Sequence, residues 1–356
     1  MSEFPEGQAI VYCQGAFGTT NGKTAHGLVR RSQRYELTAI IDSLCAGRDA
    51  GAILDGKATG VPVVEGLDTA RMQGSATHFV IGLAPDGGRL DPATRAATVE
   101  AIRAGLHVDS GLHDFLSEDP EISTLAARMG VRIRDIRKPP HRSELHFFSG
   151  KIAEVNSLRV ALLGTDSAVG KRTTAWMLVD ALRARGHSAE LIGTGQTSWL
   201  QGARYGCIFD SLVNDFVSGE IEHAIWSCWS EQLPEVMVLE GQGSLLNPAY
   251  PGGLELLAAG RPDVVVLQHA PRRTCYDGFP NHRMHPLSKQ IEAIKILSDK
   301  PVVAVTVNHE GLDRDALREA CAQIRESTGL PAVDVLLDGP AALIGALQPF
   351  LTRAKA

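Results

Sequence analysis

Short apolar runs recur along the chain. Each is followed by a turn and then by a segment with apolar residues at helical spacing. The first runs are "AIVYC" (Ala9 to Cys13), "LTAIID" (Leu37 to Asp42) and "HFVIGLA" (His78 to Ala84), the last followed by the helix-spaced "PATRAATVEAIRAGLHV". Short runs of this kind predict strands buried on both faces, hence a parallel sheet with helices on each side. A second series opens at "LRVALLG" (Leu158 to Gly164). It continues through "AELIGTG", "EVMVLEG", "DVVVLQHA", "PVVAVTVN" and "AVDVLLDG", with helices such as "KRTTAWMLVDALRARG" and "HPLSKQIEAIKILS" between them. The segment "IRKPPHRSELHFFSGKIAEVNS" (Ile136 to Ser157) interrupts the rhythm with two prolines and mixed polarity. The fold class is therefore α/β, with a Rossmann-like N-terminal domain over residues 1–140, a linker over 141–157 and a second parallel-sheet domain over 158–356.

Composition narrows the partners. The 356 residues are 44% hydrophobic and 21% charged, with a formal net charge of -6, as in an ordinary globular protein without the basic face of a sequence-independent nucleic-acid binder. Six scattered cysteines, Cys13, Cys45, Cys207, Cys228, Cys275 and Cys321, form no C-x-x-C pair. That argues against a zinc ribbon or a disulfide framework and fits a reducing cytoplasm. No apolar run approaches the length of a membrane span, and the N-terminus lacks the basic-then-apolar pattern of a signal peptide. The expected setting is cytoplasmic, with a small-molecule partner, no nucleic acid, no membrane and room for a homo-oligomer.

Chemistry enters at "GTDSAVGKRTT" (Gly164 to Thr174), where an apolar strand runs into a glycine loop and then into an amphipathic helix. Backbone N–H groups, the helix N-terminus and Lys171 together suit an anion, which makes the second domain P-loop NTPase-like. The common form is G-x-x-x-x-G-K-[ST]. Here Gly164 stands one residue early, and Arg172 replaces the magnesium-binding hydroxyl before Thr173 and Thr174. The spacing resembles the loop of dethiobiotin synthetase, except at Arg172. The earlier "GTTNGKTAHG" (Gly18 to Gly27) is one residue short of such a loop, and neither Gly15 nor Gly18 completes a dinucleotide fingerprint with Asp42.

Other candidates cluster at predicted strand ends, where open α/β sheets bind ligands. Glu240 ends "VMVLE"; Thr194, Gln196 and Thr197 lie in the turn "GTGQT"; His269 ends "VVVLQH", followed by Arg272, Arg273 and Tyr276. Asp210 and Asp215 lie in "FDSLVNDFVSGEIE", where Asp215 between hydrophobic residues reads as a buried carboxylate in need of a partner. The histidines of "NHRMH" precede Pro286 and offer no helical metal pair, so no metal ligands are assigned.

Taken in order, "GTDSAVGKRTT", "TGQT", "FDSLVNDFVSGEIE", "VLEGQGSLLNP" and "QHAPRRTCYDGFP", with "GKTAHGL" near the N-terminus, resemble the D-glutamate N-acetyltransferase family. The resemblance covers nearly the whole chain. It implies acetyl transfer from acetyl-CoA to the amino group of D-glutamate, in D-amino-acid catabolism, with an enolase-superfamily racemase as pathway partner. Under it, Gly164, Thr165, Asp166, Ser167, Ala168, Val169, Gly170, Lys171, Arg172, Thr173 and Thr174 would cradle the phosphates of coenzyme A. Glu240, His269 and Asp215 are the catalytic candidates; Thr194, Gln196, Thr197, Asp210, Arg272 and Tyr276 are the substrate-binding ones. The alternatives are an ATP- and magnesium-dependent kinase or ligase of the dethiobiotin synthetase type, and a non-catalytic nucleotide-binding regulator.

Overall fold

A computed structural model describes residues 4–351. The chain forms two compact units: one runs to Pro140 and takes in Gln196–Ala203, and the other comprises His141–Gly195 and the remainder from Arg204.

The first unit has six parallel strands, β1 (Gly7–Tyr12), β2 (Tyr35–Ile41), β3 (Val63–Val64), β4 (His78–Ile81), β5 (His107–Ser110) and β6 (Ile133–Asp135). Their order, β3-β2-β1-β4-β5-β6, is that of the Rossmann fold. Alternate residues of β1 feed different cores: Ile10 and Tyr12 pack on one face, Ala9 and Val11 on the other. This is why the run carries no polar alternation, and each such Ile or Val contributes about 1.5–3 kcal/mol by leaving water.

The second unit is built on β7 (Leu158–Gly164), β8 (Ala189–Gly193), β9 (Tyr205–Gly206), β10 (Val236–Glu240), β11 (Val264–His269), a hairpin of β12 (Cys275–Tyr276) and β13 (Phe279–Arg283), then β14 (Val302–Val307) and β15 (Ala332–Val333). The parallel order is β15-β14-β11-β7-β10-β8-β9. The chain leaves β7 toward β8 on one side and leaves β11 toward β14 on the other. The C-terminal ends of β7 and β11 therefore flank the topological switch point, where such sheets bind ligands.

Two expectations change here. The segment 141–157, read as a linker, is packed into the second unit. Ile152 and Val155 join a core with Ile221 and Ile225, and Glu222 on the helix Asn214–Gln232 accepts hydrogen bonds from Ser149 N (2.6 Å), Ser149 Oγ (2.9 Å) and Ile152 N (3.1 Å). The run "AVDVLLDG" is strand only as far as Val333. Asp334 then accepts from Leu336 N and Leu337 N and caps a short helix, Val335–Asp338.

Candidate functional site

β7 delivers the chain to Gly164, and the helix Lys171–Ala184 begins six residues after the start of the loop at Thr165. Ala168 (φ 52) and Gly170 (φ 105) are left-handed, the kind of local reversal that gathers successive backbone N–H groups into an anion-binding concavity. Lys171 lies beneath this turn, 8% exposed, and donates to the carbonyls of Asp166 (2.7 Å) and Gly243 (2.8 Å). Burial brings its ammonium down to about 8, against the opposing pull of the Asp166 and Glu240 charges.

Asp166 is fully buried, and its carboxylate joins three segments. Oδ1 accepts from Ser167 N (2.7 Å) and Asn247 Nδ2 (2.9 Å); Oδ2 accepts from Asp277 N (2.8 Å) and Arg273 Nη1 (3.1 Å). Arg273 also donates to Ser167 O (2.7 Å), Ala168 O (3.4 Å) and Glu310 Oε2 (2.8 and 3.0 Å). Its guanidinium is thus consumed by the loop and Glu310, which makes it a brace and not a cation for substrate. Asn308 completes the support by donating to Val169 O (3.0 Å).

Glu240 ends β10 and is 4% exposed. Its Oε2 accepts the Thr194 N–H (2.9 Å), and the Thr194 hydroxyl donates to the Glu240 main-chain oxygen (2.9 Å). His269 ends β11, with Nδ1 3.0 Å from the Thr165 hydroxyl. Burial lowers its pKa to about 4, so the imidazole is neutral at physiological pH. Lys171, Glu240, Thr194, Thr165 and His269 thus share the C-terminal edge of one sheet.

Other expected contacts fall elsewhere. Gln196 and Thr197 belong to the first unit, where the Thr197 hydroxyl lies 2.9 Å from that of Thr24. Asp215 is exposed in the first turn of the helix Asn214–Gln232, not buried as its neighbours suggested. Asp210 is exposed on the turn Phe209–Ser211, although Phe209 N donates to Thr194 O (3.2 Å) and so ties that turn to the site. Arg272 is exposed while its neighbour Arg273 takes the inward position; Tyr276 is buried in β12. Thr174 is buried and donates to Gln268 Oε1 (2.6 Å), which also accepts from Thr306 (2.5 Å), so its hydroxyl braces the helix from below. Sequence reasoning did not single out Asn247, Asn308 or Gln242.

In the first unit, Asp42 is buried and accepts from Phe17 N (2.8 Å) and Leu44 N (2.9 Å), so it holds the loop after β1 closed and is committed to backbone. Phe17 itself is fully buried in that turn. Among the described residues, no helix is long and apolar enough to cross a membrane, and no group of three His, Cys, Asp or Glu is placed to hold a metal ion.

A strand–loop–helix anion cradle at the switch point of a parallel sheet, joined to a Rossmann-like unit, defines a two-domain P-loop protein. The chain belongs to the DUF1611 family: its Rossmann-like domain matches residues 43–139 and its P-loop domain residues 146–344. Curated relatives carry the name D-glutamate N-acetyltransferase. The one from Pseudoalteromonas sp is 32% identical over 282 residues, 76% of this chain and 81% of the relative. That from Tritonibacter scottomollicae is 29% identical over 287 residues, 79% and 84% of the respective chains. A crystal structure of a DUF1611 family protein from Anabaena variabilis superposes with a TM-score of 0.88 at 30% identity, covering 96% of this chain and 99% of the other.

Proposed function

We propose that this protein is an N-acetyltransferase that moves the acetyl group of acetyl-CoA to the amino group of D-glutamate. The observation that carries the reading is the conjunction of two curated relatives of that name with an anion loop whose post-lysine position is Arg172 and not a metal-binding hydroxyl. The loop N–H groups, the N-terminus of the helix Lys171–Ala184 and Lys171 hold the pyrophosphate of the donor. The charge of Asp166 is countered from within by Arg273, which also pairs with Glu310.

The amino group must shed a proton to attack. Glu240, a carboxylate at the same edge, takes it. The nitrogen bonds to the thioester carbonyl carbon, the carbon–sulfur bond breaks, and coenzyme A leaves as its thiolate, which takes the second proton that the nitrogen sheds as the amide forms and so becomes the thiol. His269 stays neutral. Its role is to donate from Nε2 to the carbonyl oxygen as negative charge builds, which takes the tautomer in which Nδ1 accepts from the Thr165 hydroxyl 3.0 Å away.

The test is thiol release from acetyl-CoA by the purified protein with a panel of D- and L-amino acids. Release with D-glutamate above all others supports the reading. No release with any amino acid, together with ATP consumption in the presence of one, overturns it in favour of a kinase or ligase.

A further inference from the structure

The stretch Gly241-Gln242-Gly243 follows Glu240 directly, and the chemistry above uses only the Gly243 carbonyl. Gln242 is half-buried and seated between two glycines. A Cβ at Gly195 would come within 2.8 Å of the Gln242 amide nitrogen, and one at Gly252 within 2.6 Å of its main-chain oxygen and 3.3 Å of its own Cβ. Neither position tolerates a side chain without moving Gln242.

So held, the Gln242 amide donates to the Thr194 hydroxyl (3.1 Å). That hydroxyl has a single proton, already given to the Glu240 main-chain oxygen, so the bond from Gln242 fixes which way it points. The Thr194 N–H then grips Glu240 Oε2, and Oε1 is left without a hydrogen bond among the described residues. The chain Gln242–Thr194–Glu240 joins the ends of β8 and β10 and determines which carboxylate oxygen is free.

We infer that Gln242 is a positioning residue that acts through Thr194 to orient the carboxylate of Glu240 toward the amino group of the substrate. The inference rests on the reading of Glu240 as proton acceptor. It explains why the residue two places after the carboxylate is a carboxamide: a second carboxylate there would oppose the charge on Glu240, and an apolar side chain would release Thr194.

The experiment compares the full-length protein with Gln242→Leu, Gln242→Glu and Glu240→Gln, using thiol release from acetyl-CoA with D-glutamate and recording melting temperatures alongside. Gln242→Leu is expected to lower kcat roughly tenfold, the order of one lost hydrogen bond, with KM for acetyl-CoA changed less than about twofold. Gln242→Glu is expected to lower kcat at least as far, because a carboxylate has no proton to donate to the Thr194 hydroxyl. A purely structural role would instead lower the melting temperature and raise KM along with any loss of kcat. Thr194→Val should match Gln242→Leu, and Thr194→Ser should recover most of the loss. Unchanged kcat in both Gln242 variants, with Glu240→Gln inactive, overturns the inference and leaves the proton-acceptor reading standing. Full activity of Glu240→Gln overturns both.

Discussion

Arg273 Nη1 lies 3.1 Å from Oδ2 of Asp166, a carboxylate with no exposed surface, in the middle of a loop that otherwise favours anions. The pair converts what would be a repulsive charge into a rigid tie between the loop and the hairpin of β12 and β13. Removing one partner of a buried pair leaves the other charge stranded. Arg273→Ala is expected to lower the unfolding free energy by about 3–5 kcal/mol and to weaken acetyl-CoA binding. Arg273→Lys should recover little, since one ammonium cannot serve Asp166, two carbonyls and Glu310 together. Urea titration with calorimetric binding checks both.

Lys171 should show its burial in pH dependence. Its charge is lost above about 8, not near 10.5, so kcat/KM for acetyl-CoA is expected to fall along an alkaline limb near 8. Lys171→Ala should weaken acetyl-CoA binding by roughly ten- to a hundredfold, the order of one charge-assisted hydrogen bond. Binding that is unchanged in Lys171→Ala would remove the loop from the donor site.

Ala168 carries a side chain at φ 52, where an L-residue costs about 1–2 kcal/mol relative to the right-handed helix region. Ala168→Gly is expected to stay within about 1 kcal/mol of the parent, because relief in the folded state is offset by greater freedom when unfolded. Ala168→Val, branched at Cβ, should lower the melting temperature and acetyl-CoA affinity together. Melting curves with and without acetyl-CoA separate the two variants.

Acid should destabilise the second unit through His269. Its native pKa of about 4 lies below the usual 6.5, so between those values the unfolded chain binds a proton that the folded chain does not. The stabilisation is complete above pH 6.5 and is lost as pH falls toward 4, by up to about 3 kcal/mol. His223, also lowered chiefly by burial, adds in the same direction, and His78 does the same within the first unit. Urea midpoints should therefore drop from pH 7.5 to 5, and His269→Gln should lessen the drop. An equal drop in that variant would refute the assignment.

The sheets were legible because burial on both faces leaves an unmistakable run: Ala9 to Cys13 is apolar throughout because β1 feeds two cores. The phosphate loop was legible because its glycines and lysine act within a few residues of one another. Long-range choices were not. Nothing local distinguishes Arg272 from Arg273; only the position of Asp166 in the folded loop does. Asp215 looked buried from its neighbours, but the helix Asn214–Gln232 starts one residue before it and leaves it exposed in the first turn. Gln242 had a visible signal in the glycines on either side of it, yet its partner Thr194 lies 48 residues away.

The assignment of Gln196–Ala203 to the first unit bears on how this protein can be cut. Leu200 is fully buried in the core beside Leu28 and Val29, and Gln201 donates to the Gly27 and Arg31 carbonyls. A gene split near residue 140 would therefore give an N-terminal fragment lacking a piece of its own interior and a C-terminal fragment carrying an apolar plug without its socket. The two halves are expected to be recovered in soluble form only when co-expressed, or when the fragment from residues 1–140 is supplied with the peptide 196–203.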